Sequence, residues 1–216
     1  MYGGIWKWIY LGFSFNSLVM TPTDEELEIL KDNHFLKVKN ELSSKVIMHL
    51  SEIERALHSE IEKTNFNYPD ETFIKAGKIS KGEQYQGLPY FILDYPRLFK
   101  QNEVFSFRTM LWWGNHFSCT LHLSGPLLQN NKEKICVQLT RMKDIYFCVN
   151  DTPWEYHYKK SNYLNINQLS KDKILNQIEE NGFIKLSNYI SLDLWNEYKS
   201  FTLTTFARFL RCVNPI

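Results

Sequence analysis

Two runs of alternating side chains, FSFRTMLWW at 105–113 and HFSCTLHLS at 116–124, flank Gly114-Asn115 and constrain this chain more than any other stretch. Alternation over that length marks strands, and a glycine beside an asparagine between two such runs marks a β-hairpin. Read as a two-residue turn, the hairpin sets Trp113 opposite His116, Met110 opposite Cys119, Arg108 opposite Leu121 and Phe107 opposite His122. The period of two then sorts the faces. One face carries Met110, Trp112, Phe117, Cys119 and Leu121, a core set, with Arg108 among them. The other carries Phe105, Phe107, Thr109, Leu111 and Trp113 with His116, Ser118, Thr120 and His122, half aromatic and half polar.

Further strand-like segments lie at 72–79, 88–95, 145–149 and 154–158, the last two around an Asn150-Asp151-Thr152-Pro153 turn. Short connections imply antiparallel pairing, because parallel strands need crossovers of a dozen or more residues. Pro89 and Pro96 bracket the segment at 88–95, which reads as an edge strand, and 82–90 reads as a glycine-punctuated loop. Helices surround this region. Thr23 can cap a short helix at 24–32, with Glu26 reaching back to it. Leu42, Val46, Leu50, Ile53, Leu57 and Ile61 recur at three- and four-residue steps and put one apolar stripe on a long amphipathic helix. Ile135, Leu139 and Met142 suggest another helix between 125 and 145. Ser170 caps a helix over 171–181 that Gly182 closes, and Ser191 opens a last helix through Trp195, Tyr198, Phe206 and Phe209. The fold expected is α+β, a single domain with a central antiparallel sheet and N-terminal and C-terminal helices packed on it.

Residues 1–19 form an apolar, aromatic leader with the lone charge Lys7. They lack both the roughly 20 consecutive apolar residues of a membrane span and the charged start and cleavage site of a secretory signal. The strong helix start just after Met20 makes Met20 the expected natural start, with 1–19 an extension and 20–216 the domain. A membrane-interface anchor built on Trp6, Trp8 and Tyr10 is the alternative, but a single lysine attracts anionic lipid weakly.

Twenty-five Lys and Arg against 24 Asp and Glu give a net charge of +1, so no global field recruits nucleic acid or a membrane surface, and neither is expected as a partner. Cys119, Cys136, Cys148 and Cys212 sit in separate apolar runs without metal-finger spacing, which reads as buried thiols in a reducing cytoplasm. No cofactor is implied: the chain has no P-loop and no Gly-x-Gly-x-x-Gly, and it also lacks Gly-x-Ser-x-Gly and His-Glu-x-x-His.

The candidate site residues are the polar side chains that the strands carry. A guanidinium cannot shed its proton, so a buried Arg108 needs a carboxylate, and Asp94 in the neighbouring strand is the expected partner. Arg108, Arg97, Tyr90 and Trp113 are the candidate ligand-binding residues; His122, His116 and Asp94 are the candidate catalytic ones. No metal is expected, since six residues of strand separate His116 from His122 by about 20 Å, too far for one ion. His49 neighbours the long helix's stripe and reads as core packing. The functional expectation is a cytoplasmic domain that binds a small molecule or protein through the aromatic and polar face of its sheet. Two alternatives stand beside it. One is a hydrolase or transferase with a His general base supported by Asp94 or Arg108; the other is a structural subunit whose exposed aromatics form a homodimer interface.

Overall fold

The computed structural model describes residues 21–214, so the leader at 1–19 and the start at Met20 lie outside the described residues. Among the described residues, five α-helices and a seven-stranded antiparallel sheet make the chain α+β. It divides into two compact units, one ending at Ser43 and one beginning at Ser44. No helix among the described residues is long and apolar enough to cross a membrane.

The first unit carries α1 (Asp24–Lys31) and the opening turns of α2 (Asn33–Lys63). Thr23 Oγ1 accepts the Glu26 N–H at 3.2 Å while the Glu26 carboxylate accepts the Thr23 N–H at 2.7 Å, the capping box expected from the sequence. Asp32 caps the next helix by accepting the Phe35 N–H at 2.9 Å, so the long helix begins well before the stripe at Leu42.

The second unit is built on the sheet. Its strands are β1 (Lys78–Tyr85), β2 (Leu88–Phe99), β3 (Val104–Trp112), β4 (His116–Ser124), β5 (Tyr146–Cys148), β6 (Tyr163–Asn165) and β7 (Phe183–Ser191), in the spatial order β1-β2-β3-β4-β7-β5-β6. One face carries Leu93, Tyr95, Phe107, Phe117, Leu121 and Leu186 into an apolar core with the α2 stripe Val46, Leu50, Ile53, Leu57 and Ile61. The helices α3 (Pro126–Thr140), α4 (Lys171–Asn181) and α5 (Tyr198–Val213) complete that core. Each fully buried Leu, Ile or Phe contributes about 1.5–3 kcal/mol, which makes this side the main source of stability. All four cysteines are free and buried, as expected. His49 stacks on Trp195 at 4.9 Å, which is packing rather than ligation.

Several expectations need correction. The β3–β4 loop has three residues rather than two: Trp112 pairs with His116, and the Asn115 N–H donates to the Trp112 carbonyl at 3.1 Å across Gly114 at φ 68°. Trp113 leaves the pairing because its N–H donates to Pro89 at 3.0 Å and its ring packs with the helix-side core. A one-residue slip exchanges the faces. Phe105, Phe107, Leu111, Phe117, Cys119 and Leu121 therefore face the helices, and Arg108 leaves that set for the opposite face. The first strand starts at Lys78, since the Gly77 N–H donates to Glu54 of α2 at 2.7 Å and Phe73 makes only an isolated bridge to Arg97. Residues 82–90 are strand around a Gln86-Gly87 turn with both φ positive, as a two-residue hairpin requires. β2 lies inside the sheet, not at its edge; its register breaks between Asp94 and Arg97, where Pro96 has no N–H to give.

Residues 183–191, left unassigned by sequence, form β7, which joins β4 to β5. Residues 154–158, expected as a strand, instead belong to a strap at 150–162 that crosses the non-helical face, and β5 pairs with β6. The strap's backbone is satisfied by side chains instead of a ladder.

Candidate functional site

On the strap side of the sheet, register brings together Asp94 and Arg108 of β2 and β3, His122 and Thr120 of β4, and Lys185 and Ser187 of β7. Arg108 Nε and Nη2 donate to the two oxygens of Asp94 at 2.7 and 2.8 Å, the pairing expected from the sequence. Arg108 Nη1 donates to the Tyr156 hydroxyl at 2.6 Å, and its guanidinium lies 5.0 Å from that ring. Burial disfavours the charge on Arg108, but the Asp94 hydrogen bonds, together with the Coulombic attraction of Tyr156, Asp94 and Tyr90, outweigh it and its pKa goes up. Burial pushes the Tyr156 phenol up to about 12, so it meets Arg108 as a neutral hydroxyl.

Lys185 is the residue that sequence reading missed. It is fully buried, and its Nζ donates to the carbonyls of Pro153 at 2.8 Å and Glu155 at 2.5 Å. The rings of Tyr156 and Tyr163 lie 4.9 and 4.8 Å away, so the ammonium is held by two carbonyls and two π faces. Burial lowers its pKa to about 8, opposed by Cys148 and Glu155 and reinforced by Arg108. Asn162 and Tyr85 fix the rest of the strap. Asn162 Nδ2 donates to the Glu155 and His157 carbonyls at 3.0 and 2.7 Å, and the Tyr85 hydroxyl accepts from the Tyr156 and His157 N–H groups at 2.7 and 3.1 Å. The signal for Lys185 was present in the alternation Phe183, Ile184, Lys185, Leu186, Ser187, which places a lysine on the face of Ser187 and Tyr189.

The two histidines share this face but not a neighbourhood. His116 packs on Trp112, Tyr158 and Tyr189 at 5.5, 5.0 and 5.2 Å, and burial lowers its pKa to about 4. His122 stands edge-on to Trp154 and Phe183 at 5.7 and 5.6 Å; burial, then Lys185 and Arg108, lower its pKa to about 3. Both oxygens of Asp94 are engaged by Arg108, so Asp94 orients neither histidine. Of the remaining candidates, Tyr90 packs with Ile92, Met110 and Trp112 on the strap side, and Arg97 covers the Phe73 ring at 4.6 Å. Trp113 joins the helix-side core instead. Among the described residues, no three His, Cys, Asp or Glu side chains converge as a metal site.

The strap does not seal the whole face. At the His122 end the sheet opens into a pocket of about 500 Å³, walled by Val104, Pro153, Trp154 and Phe183 and rimmed by Asn102 and Asp151. Trp154 is 53 % exposed at its mouth, whereas His122 is 8 % exposed in its wall. The arrangement offers aromatic edges and a neutral imidazole that both donates and accepts. No protein-family model matches the chain, and no curated protein or solved structure matches it.

Proposed function

We propose that the protein is a cytoplasmic binding domain that takes a small, uncharged heteroaromatic ligand into the His122 pocket. The observation that supports this most is a neutral imidazole in an aromatic-walled pocket, at the one candidate residue of the polar face that borders it. Ligand pockets combine such apolar walls with a few oriented polar groups. A planar ring stacks on the exposed Trp154, and His122 matches one donor or acceptor on the ring edge. A charged ligand fits less well, since His122 stays uncharged, the pocket's own cation Lys100 is paired with Glu71 at 2.9 Å, and the nearby Arg108 and Lys185 are already hydrogen-bonded. The four buried free thiols support the cytoplasmic setting. A binding role suits the site better than general-base catalysis, because a base with a pKa of about 3 lies far below neutral operating pH.

The test is ligand-observed NMR with neutral heteroaromatic fragments, carboxylates and phosphates, on the native chain and on the His122→Phe and Trp154→Ala variants. Heteroaromatic binders that both variants weaken about tenfold or more support the reading. Binders that ignore both substitutions, or a preference for anions, refute it.

A further inference from the structure

We propose that the His122 pocket selects rings that carry both an amino group and an acceptor nitrogen, with Asp151 accepting from the amino group and His122 donating to the ring nitrogen. This rests on the binding role proposed above and names its ligand class. His122 is 8 % exposed and edge-on to Trp154 and Phe183, yet among the described residues it makes no hydrogen bond. An unpaired buried polar group costs free energy that a matching ligand atom recovers. A neutral imidazole always keeps one N–H, which suits a ring nitrogen.

Asp151, at the rim of the same pocket, is the complementary group. Among the described residues it has neither a hydrogen bond nor a paired cation. The turn that carries it is pinned on both sides: Gln177 Nε2 of α4 donates to the Asn150 carbonyl at 3.0 Å, and Lys185 Nζ donates to the Pro153 carbonyl at 2.8 Å. A carboxylate on backbone already fixed gives up less freedom when it takes a donor. The rest of the rim favours donors as well. Asn181 and Gly182 end α4 there, and the last carbonyls of a helix are unsatisfied and carry partial negative charge. Lys100 does not offset this, because Glu71 holds it at 2.9 Å and the charges of Glu103 and Asp70 also act on it.

These acceptors decide between ligands. A ring with an oxo or carboxylate substituent turns lone pairs towards Asp151 and the end of α4, whereas an amino group turns N–H donors. A cation without a ring acceptor gains little, since Asp151 is exposed to a screening solvent and His122 stays unpaired. An amino group and a ring nitrogen together satisfy both.

Ligand-observed NMR titration at pH 7.5 tests this with 2-aminopyrimidine, 4-aminoquinazoline, their methyl counterparts and benzamidine, on the native chain and on Asp151→Ala, His122→Phe and Trp154→Ala. The native chain should bind each amino ring at least about tenfold more tightly than its methyl counterpart. Asp151→Ala should abolish that preference and leave the methyl rings unchanged, while His122→Phe should weaken both members of each pair. Amino and methyl rings that bind equally, yet still depend on His122 and Trp154, overturn the amino selectivity and leave the binding role standing. An amino preference that survives Asp151→Ala, or benzamidine binding more tightly than the amino rings, also overturns it. A native chain that binds no ring overturns the binding role and the selectivity with it.

Discussion

Lowering the pH from about 7.5 to 5.0 should cost this fold about 2 kcal/mol through His122 alone, because the buried imidazole resists the proton that the unfolded chain accepts. The pKa of His122 is held at about 3 against an ordinary 6.5. Above 6.5 neither state is protonated and His122 imposes no pH dependence. Between 6.5 and about 3 only the unfolded state binds the proton, so stability falls as pH falls through that window. At pH 5.0 the separation from 6.5 is about 1.5 units, and 1.36 kcal/mol per unit gives the figure of about 2 kcal/mol. Urea unfolding of the native chain and of His122→Phe at both pH values reads it out. Phenylalanine keeps the edge-on ring against Trp154 and Phe183 without a titratable group. The variant should lose about 2 kcal/mol less than the native chain on acidification, whatever its stability at neutral pH. Equal losses would mean that His122 titrates as an exposed histidine, and the reasoning from its burial would fail.

Other substitutions test the rest of the covered face. His116→Phe should remove a similar loss of about 2 kcal/mol at pH 5.0, since burial holds His116 at about 4; a matched urea series checks it. Arg108→Ala should destabilise by about 3–5 kcal/mol, because Asp94 would be left buried without its cation, and Arg108→Met with Asp94→Leu should recover most of that loss in thermal unfolding. Lys185 has a pKa lowered to about 8 from 10.5, so the unfolded chain binds the extra proton between those values and stability should rise with pH across them, by up to about 3 kcal/mol. Lys185→Met should flatten that rise in a denaturation series run from about pH 7.5 to 10.5.

Sequence exposed the helices where caps announce them. Ser170 accepts the Lys173 N–H at 3.3 Å, and Gly182 closes α4 at φ 70°. The antiparallel sheet and the Asp94–Arg108 pair were also legible, because that pair rests on β2–β3 register, which the hairpin loop does not touch. The loop length was not legible. Gly114-Asn115 suits a two-residue or a three-residue reversal, and Trp113 is decided by a carbonyl on β2 and by the helix-side core, both remote in sequence. That single residue moved Arg108 from the face of Phe117 and Cys119 to the face of His116 and His122. β7 was hidden because Lys185, Ser187 and Asn188 dilute its apolar run. The strap was mistaken for a strand because Trp154, Tyr156 and Tyr158 have strand propensity, while Lys185, Asn162 and Tyr85 take the backbone groups that a ladder would use.

The central claim is that Arg108, His122 and Lys185 share a face closed by the strap at 150–162, and Lys185 reports on it most directly. Amine acylation of the native chain, followed residue by residue by mass spectrometry, should leave Lys185 among the last lysines to react, at a rate that follows unfolding. Labelling of Lys185 as fast as the exposed Lys31 or Lys63 would contradict the account, since the ammonium would then be open to solvent rather than held by the Pro153 and Glu155 carbonyls.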